Sequence, residues 1–392
     1  MIDPLALQSA RSSIRHFLKL PEEEIVDLVM LAAILCNFDP ERLVPIWLIV
    51  VGSPSSGKTE ITSLVRDWTH TWALPARLSG GYFFSARNRE DSALAKIDRS
   101  GKKLLYIDDL AGVLSLDINA GGMLYSQLIA IHDGHLTHST GFNDRELVYG
   151  PKLPAERLGF LGSATEKFYG FQERWFQFGS RFMVYYLADA KREWDDYGHL
   201  SRIAEMAEIP HHREHAKEAV KVLLDEAAAK VPAEFPDVAI APADVDRLSA
   251  AVTLVQRVLG AGRSNDPGIR LHRRVVQLVR MMAYLQGRMR TEGPDVAAGI
   301  RLVISQLPVQ EHKVLRYALE QLGTVEGWSF GDLLEFAGST RKIYAPAVEA
   351  LADVRVLRRA GQRGNTGYRF ELHPKSIALV NVFDPERSIF PR

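Results

Sequence analysis

Apolar runs without charged residues alternate with helical patterns in the first half of the chain. Four of these runs, Ile46–Val51, Leu104–Ile107, Leu158–Gly162 and Phe182–Leu187, have the length and composition of strands buried on both faces of a parallel sheet. A weaker run, Arg77–Phe84, predicts one more strand. Because helical segments separate the strands, the pattern predicts an α/β fold, a doubly wound parallel sheet with helices on both faces.

The remaining segments differ from this core in their pattern. Residues 1–45 predict a helical lead-in, and residues 188–307 predict helices broken by proline and glycine. Residues 308–392 predict three helices closed by a β-hairpin, which is the order of a winged-helix domain. Within the α/β core of residues 46–187, the polar and turn-rich segment 132–154 predicts a projecting hairpin or loop.

A phosphate-binding motif follows the first predicted strand directly. The motif is G-x-x-x-x-G-K-T, a P-loop, in which two glycines allow a tight path and consecutive backbone amides face the phosphates. Lys58 supplies charge to the β- and γ-phosphate oxygens, and the Thr59 hydroxyl is a predicted ligand of Mg²⁺. The residues predicted to bind ATP with Mg²⁺ are Gly52, Ser53, Pro54, Ser55, Ser56, Gly57, Lys58, Thr59 and Glu60.

A pair of carboxylates closes the predicted strand Leu104–Ile107. Since the carboxyl ends of parallel strands share one sheet edge, we expect Asp108 and Asp109 to lie near the P-loop. Hydrolysis of a nucleotide needs a metal ion held in place and a water aimed at the γ-phosphate. We assign Asp108 to the metal shell and Asp109 to the orientation of that water.

Composition and charge narrow the class of protein. The chain has 392 residues, enough for two or three domains, and its 46% hydrophobic and 24% charged residues describe a folded protein. Its formal net charge of zero excludes a general attraction to nucleic acid or membranes, so any DNA contact requires a local basic surface. The single cysteine, Cys36, has no partner for an internal disulfide, and no apolar window is long enough for a membrane span. We therefore expect a cytoplasmic protein without membrane association.

The order of these motifs resembles that of AAA+ ATPases, and among them the MCM-like replicative helicases and related ATPases of bacterial mobile elements. Gly57-Lys58-Thr59 is similar to the Walker A motif and Ile107-Asp108-Asp109 to the Walker B motif. The resemblance covers residues 25–187 and extends loosely over 265–285. In residues 308–392, only the order of the predicted helices and hairpin is similar. It implies an AAA+ core, a helical lid formed by residues 188–307, and a homo-oligomeric ring, expected to be a hexamer.

The same resemblance implies three further site residues. Thr165 lies at the end of the fourth strand, where such enzymes carry a polar sensor of the γ-phosphate or its water. Ser180-Arg181-Phe182 is similar to the Ser-Arg-Phe of MCM proteins, which makes Arg181 an arginine finger for the nucleotide of the neighbouring subunit. Arg273 fits the second sensor of the lid helix, with Arg270 as the fallback. The structural alternatives are a surface arginine that caps the fifth strand and a solvated basic helix face.

Five cations are predicted to contact DNA. The hairpin segment occupies the place of the element that MCM-like motors push into the ring channel, and a winged helix presents cations on its recognition helix and wing. The predicted DNA-binding residues are Arg145, Lys152, Arg341, Lys342 and Arg363. Because winged helices also serve as docking modules, a protein partner of this domain stays open as an alternative.

One departure from the family pattern widens the functional prediction. Most AAA+ motors carry Glu where this chain has Asp109, whose side chain is one methylene shorter. Misplacement of a reacting group by about 1 Å can cost on the order of a hundredfold in rate. The first hypothesis is an ATP-dependent helicase or translocase on single-stranded or forked DNA. The alternatives are an ATP-switched, DNA-binding initiator, loader or regulator, and a protein-remodelling ATPase of a mobile-element or defence system.

Overall fold

A computed structural model gives the fold of most of the chain. The described residues are 3–18, 20, 22–37, 45–83, 91–133, 136–139, 146–149, 158–171, 181–187, 203–230, 237–259, 268–322, 327–337, 340–362, 368–384 and 389. The chain divides into two compact units. They are Met1–Val238 with Met281–Arg290, and Ala239–Arg280 with Thr291–Arg392. The four domains predicted from the sequence have other boundaries and stay a prediction.

The first unit contains the predicted α/β sheet. Its helices are α1 (Pro4–Arg15), α2 (Glu24–Ile34), α3 (Lys58–Ser63), α4 (Ala93–Arg99), α5 (Ala111–Leu114), α6 (Ile118–His132) and α7 (Ile203–Ala229). Its strands are β1 (Trp47–Gly52), β2 (Thr71–Ala73), β3 (Leu104–Ile107), β4 (Leu136–Ser139), β5 (Glu146–Tyr149), β6 (Gly159–Thr165) and β7 (Phe182–Leu187). Five strands form one sheet in the order β2-β3-β6-β1-β7, and all neighbours in it are parallel. The antiparallel pair β4–β5 lies within the segment predicted as a hairpin.

The central strands form the core of this unit. Every residue of β1, β3 and β7 is buried, as expected for strands covered on both faces. Trp47 of β1 lies beside Phe160 and Phe182 in the register, and its ring centroid is 5.2 Å and 4.8 Å from theirs. At the opposite end of the strands, Gly52 is paired with Thr165, so the P-loop begins at the carboxyl edge of the sheet.

One side-chain cap and one buried carboxylate stabilise the N-terminal helices. Asp3 accepts a hydrogen bond from the Leu5 amide at 2.9 Å, a side-chain cap that starts α1. Asp27 of α2 is only 1% exposed, and it accepts from Arg11 Nε at 2.9 Å and from Gln286 Nε2 at 3.1 Å. These bonds join α1 and α2 to the residues just after the end of a later helix.

The second unit combines helices with a small antiparallel sheet. Its helices are α8 (Pro242–Leu259), α9 (Ile269–Leu285, whose last residues belong to the first unit), α10 (Gly293–Ile304), α11 (Val309–Glu320), α12 (Phe330–Ala337), α13 (Arg341–Asp353) and α14 (Pro374–Phe383). Its strands are β8 (Trp328–Ser329), β9 (Leu357–Gln362) and β10 (Tyr368–Leu372), in the order β8-β10-β9. The helices α11, α12 and α13 and the pair β9–β10 follow the predicted order of three helices and a hairpin.

The structure confirms the α/β class with a parallel five-stranded sheet and corrects one predicted strand. Residues 77–83, the described part of the run Arg77–Phe84, contain no strand, and Thr71–Ala73 takes the place beside β3 instead. Leu78 and Phe83 are buried although neither lies in a strand, so their apolar character reflects packing and not strand pairing. None of the described helices combines the length and apolarity needed to cross a bilayer.

Candidate functional site

The P-loop between β1 and α3 has a backbone path that requires its two glycines. Gly57 has a φ of 87°, in the left-handed region, and a Cβ there would lie 2.8 Å from Leu18 Cδ1. A Cβ on Gly52 would lie 2.7 Å from Ser56 Oγ. Ser55 also has a positive φ, 65°. The motif therefore forms a tight turn that leads directly into α3.

Two polar groups lie inside this turn. Lys58 is 8% exposed, and its Nζ donates to the carbonyl oxygen of Ser53 at 2.9 Å. The buried Oγ of Ser56 has no hydrogen-bond partner within the described part of the chain. A buried polar group without a partner costs about 1–3 kcal/mol, so a ligand that bonds to it gains binding energy. The loop offers a cation and a hydroxyl to an oxyanion.

A line of hydrogen bonds joins the P-loop to the end of β3. Thr59 Oγ1 lies 3.4 Å from Ser163 Oγ on β6, and this Ser163 hydroxyl donates to the backbone carbonyl of Asp108. Ser163 is completely buried, and its own carbonyl accepts from the Leu110 amide at 2.9 Å. The arrangement follows from strand order, because β6 lies between β1 and β3. Ser163 thus connects Thr59 and Asp108, the two predicted metal ligands.

Both carboxylate oxygens of Asp108 have partners in the protein. The Tyr106 hydroxyl donates to Oδ1 at 2.7 Å, and Arg66 Nη1 lies 3.2 Å from Oδ2. Burial raises the pKa of Tyr106, and its hydrogen bond to Asp108 raises that pKa further, so the hydroxyl stays a donor. Asp108 is therefore a carboxylate held in one orientation through both of its oxygens.

Asp109 has a different local role. Its side chain is exposed, and Oδ1 accepts a hydrogen bond from the Ala111 amide at 2.9 Å. This bond satisfies a backbone donor at the start of α5, where the helix itself provides no acceptor. The predicted orientation of a water by Asp109 stays a prediction, and it requires the carboxylate to serve two purposes.

Arg181 forms an ion pair with a carboxylate of its own chain. Its Nε and Nη2 donate to the two carboxylate oxygens of Asp133 at 3.0 Å and 2.6 Å. His132 Nδ1 lies 2.8 Å from Asp133 Oδ1. Burial by itself raises the pKa of Asp133, but the hydrogen bonds from His132 and Arg181 outweigh it, and the pKa is lowered. The Arg181 side chain is 17% exposed, so a role on a neighbouring subunit requires this pair to open.

Two further predicted residues lie in the first unit. Thr165 is the last residue of β6, beside Gly52, and so belongs to the same sheet edge as the P-loop. Glu60 accepts from Arg213 Nη2 at 2.8 Å, which ties α3 to α7. Thr165 thus lies at the same sheet edge as the P-loop, and its role as a sensor stays a prediction. Glu60 takes part in an ion pair between helices.

The structure describes only some of the residues predicted for the lid and for DNA binding. Arg273 is exposed on α9 in the second unit. Arg341 and Lys342 are exposed at the start of α13, and the Arg341 guanidinium carbon lies 5.3 Å from the centroid of the Phe330 ring. The assignments of Arg145, Lys152 and Arg363 fall outside the described residues.

The oxygen donors at the sheet edge fit a magnesium–nucleotide complex. In phosphate sites Mg²⁺ takes one or two carboxylates together with phosphate oxygens and waters. The Thr59 hydroxyl and the Asp108 carboxylate are donors of this kind, and Ser163 links the Thr59 hydroxyl to the backbone carbonyl of Asp108. No group of three or more His, Cys, Asp or Glu side chains in the described ranges is arranged for a metal ion. In such a site, phosphate oxygens and waters would supply the remaining ligands of Mg²⁺.

The chain matches no protein-family model and no curated protein.

Three residues at the sheet edge were missed by the sequence prediction although a signal was present. Tyr106 lies two positions before Asp108, and Ser163 two positions before Thr165, so each pair shares one strand face. Arg66 follows Thr59 by about two helical turns, which indicates the same side of the segment. The pairing of Asp133 with Arg181 has no local signal, because 48 positions separate the two residues.

Proposed function

We propose that this chain is an AAA+ ATPase that binds ATP with Mg²⁺ at the carboxyl edge of its five-stranded sheet. It assembles into a ring, a hexamer, and converts hydrolysis into movement on single-stranded or forked DNA, as an MCM-like helicase or translocase. The observation that carries the proposal is the line from Thr59 through Ser163 to Asp108, next to the buried Lys58. A glycine turn with a purely structural role does not need these partners.

Each residue at this sheet edge has its own role in the proposed phosphoryl transfer. Lys58 and the loop amides hold the β- and γ-phosphates, and Thr59 with Asp108 holds the metal. When bound there, Mg²⁺ would neutralise negative charge on the phosphate oxygens. Thr165 contacts the γ-phosphate or the attacking water from the end of β6. Preorganised donors of this kind stabilise the transition state chiefly by charge and position.

The ring assembly is supported by the chemistry of Arg181. In this proposal the guanidinium leaves Asp133 and reaches the nucleotide of the neighbouring subunit. Arg181 binds the Asp133 carboxylate through two parallel hydrogen bonds, from Nε and Nη2. The same bidentate geometry suits phosphate oxygens. Asp133 then serves as a resting partner that keeps the arginine oriented.

DNA contact is assigned to two elements. The β4–β5 pair begins a few residues after Asp133. The predicted hairpin segment 132–154 contains the cations Arg145 and Lys152 in its sequence. In the second unit, the order of three helices and a hairpin is that of a winged helix, with Arg341 and Lys342 at the start of its third helix. The helices between residues 188 and 307 act as the lid that carries Arg273.

A second candidate function is favoured by Asp109. Because its carboxylate already bonds to the Ala111 amide and is shorter than Glu, the orientation of an attacking water is less favourable. Slow turnover suits an initiator, loader or regulator that binds DNA and uses ATP as a switch.

One experiment separates these functions. ATP hydrolysis by the full chain is measured without DNA, with single-stranded DNA and with forked DNA, together with strand displacement on the fork. Turnover stimulated by DNA, with displacement, supports the motor. DNA binding with turnover near background supports the switch. Failure to bind a fluorescent ATP analogue in the presence of Mg²⁺ contradicts both.

A further inference from the structure

Arg66 forms an ion pair with Asp108, the carboxylate that the proposed function assigns to Mg²⁺. Arg66 Nη1 and Asp108 Oδ2 are 3.2 Å apart, and Oδ1 of the same carboxylate accepts from the Tyr106 hydroxyl at 2.7 Å. A guanidinium cannot be deprotonated in a protein. Arg66 therefore leaves Asp108 only by moving its side chain.

The two partners of this pair are held to different degrees. The Arg66 side chain is 49% exposed and belongs to the turns that follow the end of α3 at Ser63. Asp108 is fixed by Tyr106 through its carboxylate and by Ser163 through its backbone carbonyl. The arginine consequently has solvent into which it can move, whereas the carboxylate stays in place.

We propose that Arg66 competes with Mg²⁺ for Asp108 and so sets the metal concentration at which the nucleotide is held. The inference rests on the proposed ATP site. A guanidinium and a divalent cation both stabilise a carboxylate oxygen, and each excludes the other from Oδ2 by volume and by repulsion. Arg66 is thus a positioning residue, which keeps the Asp108 carboxylate oriented until the metal replaces the guanidinium.

The expected size of the effect follows from the exposure of the pair. Ion pairs that are open to solvent have strengths that correspond to about a twofold to fivefold change in an equilibrium constant. Loss of Arg66 should therefore lower the Mg²⁺ requirement by about this factor. A purely structural ion pair would change stability without changing the metal requirement.

The test measures thermal unfolding of the full chain with a non-hydrolysable ATP analogue while Mg²⁺ is raised from a chelated baseline. The proteins are the natural chain, Arg66→Ala, Arg66→Gln as a second variant that keeps a polar side chain, and Arg77→Ala as the control. Arg77 is an exposed arginine of the same unit. Both Arg66 variants should reach half of the stabilisation at about twofold to fivefold lower Mg²⁺, and Arg77→Ala should match the natural chain.

Three outcomes would overturn the inference. An unchanged or higher Mg²⁺ midpoint in both Arg66 variants removes the competition, while stabilisation of the natural chain leaves the ATP site intact. Weaker binding of the analogue by these variants in chelator would make Arg66 a phosphate ligand instead. If the analogue stabilises none of the four proteins at any Mg²⁺ concentration, the ATP site fails and the inference fails with it.

Discussion

The carboxyl edge of the parallel sheet and the small sheet of the second unit hold their polar side chains in different ways. At the parallel edge, Thr59, Ser163 and Asp108 come from three separate segments and meet through hydrogen bonds. In the small sheet of the second unit, the ion pair of Arg358 with Glu371 joins two strands that are neighbours along the chain, β9 and β10. Convergence of distant segments, and not the number of charges, marks the place where chemistry is expected.

This contrast leads us to expect strong effects of substitution at the parallel edge and weak ones among the exposed cations. A buried or multiply bonded group that acts in the transition state contributes several kcal/mol. A solvated cation on a surface contributes about 1 kcal/mol or less. A reversal of that order would show that the second unit contains the main site.

Arg181→Ala should give the strongest loss of activity. An arginine finger contributes on the order of a thousandfold or more to the rate of hydrolysis, while it contributes little to ground-state binding. We expect ATP hydrolysis to fall by about that factor and binding of an ATP analogue to be retained. Asp133→Asn is the matched variant, because it weakens the resting pair and leaves the guanidinium in place. Full activity of Arg181→Ala would remove the finger assignment.

Lys58→Ala should abolish the function of the P-loop. The ammonium is buried beside the loop carbonyl of Ser53, and its loss removes the main positive charge facing the phosphates. We expect hydrolysis to fall by about a hundredfold or more. The ATP-dependent rise in unfolding temperature should also be lost. Lys96→Ala, at an exposed position of α4, is the control and should behave as the natural chain. Equal losses in both variants would contradict a specific role of Lys58.

His312 makes the stability of the second unit sensitive to acid. Burial, with smaller contributions from Arg316 and Lys313, lowers the pKa of His312 to about 3, whereas an unfolded histidine has a pKa of about 6.5. The unfolded chain therefore takes up the proton first, so the stabilisation is complete above about pH 6.5 and is lost as the pH falls toward 3. Between pH 7 and pH 5 the loss is about 2 kcal/mol.

Urea unfolding at these two pH values measures the effect. His312→Gln has no group to titrate at this position and should lose about 2 kcal/mol less on acidification than the natural chain. His211→Gln, at an exposed position of α7, is the control and should keep the full pH dependence. An unchanged pH dependence in His312→Gln would show that acid acts elsewhere.

Arg341→Ala combined with Lys342→Ala should give the smallest effect. Both side chains are exposed at the start of α13, and each is predicted to contact one DNA phosphate. Each lost phosphate contact lowers the slope of log affinity against log salt by about 0.9, so the double variant should lose close to two slope units. DNA binding at several salt concentrations checks this, with hydrolysis in the absence of DNA as the internal control. An unchanged slope would favour a protein partner for this surface.

Local sequence signals were sufficient for much of the fold. The buried strands have apolar runs that need no partner to be recognised, and Gly52, Gly57 and Lys58 form a motif whose spacing follows from backbone geometry. The order of helices and hairpin in residues 309–372 was also predicted from local patterns, because helical periodicity and glycine turns are properties of short segments. The edge strand Thr71–Ala73 was missed because its three residues are too short to show a period.

The partners of the site residues were decided by tertiary structure. The placement of β6 between β1 and β3 brings Ser163 between Thr59 and Asp108, and no pattern within any one segment specifies that order. The same holds for Arg66 on Asp108, since both are charged residues with many possible partners in sequence. Side-chain pairing depends on which strands are neighbours, and strand order results from packing of the whole sheet rather than from the residues of a single strand.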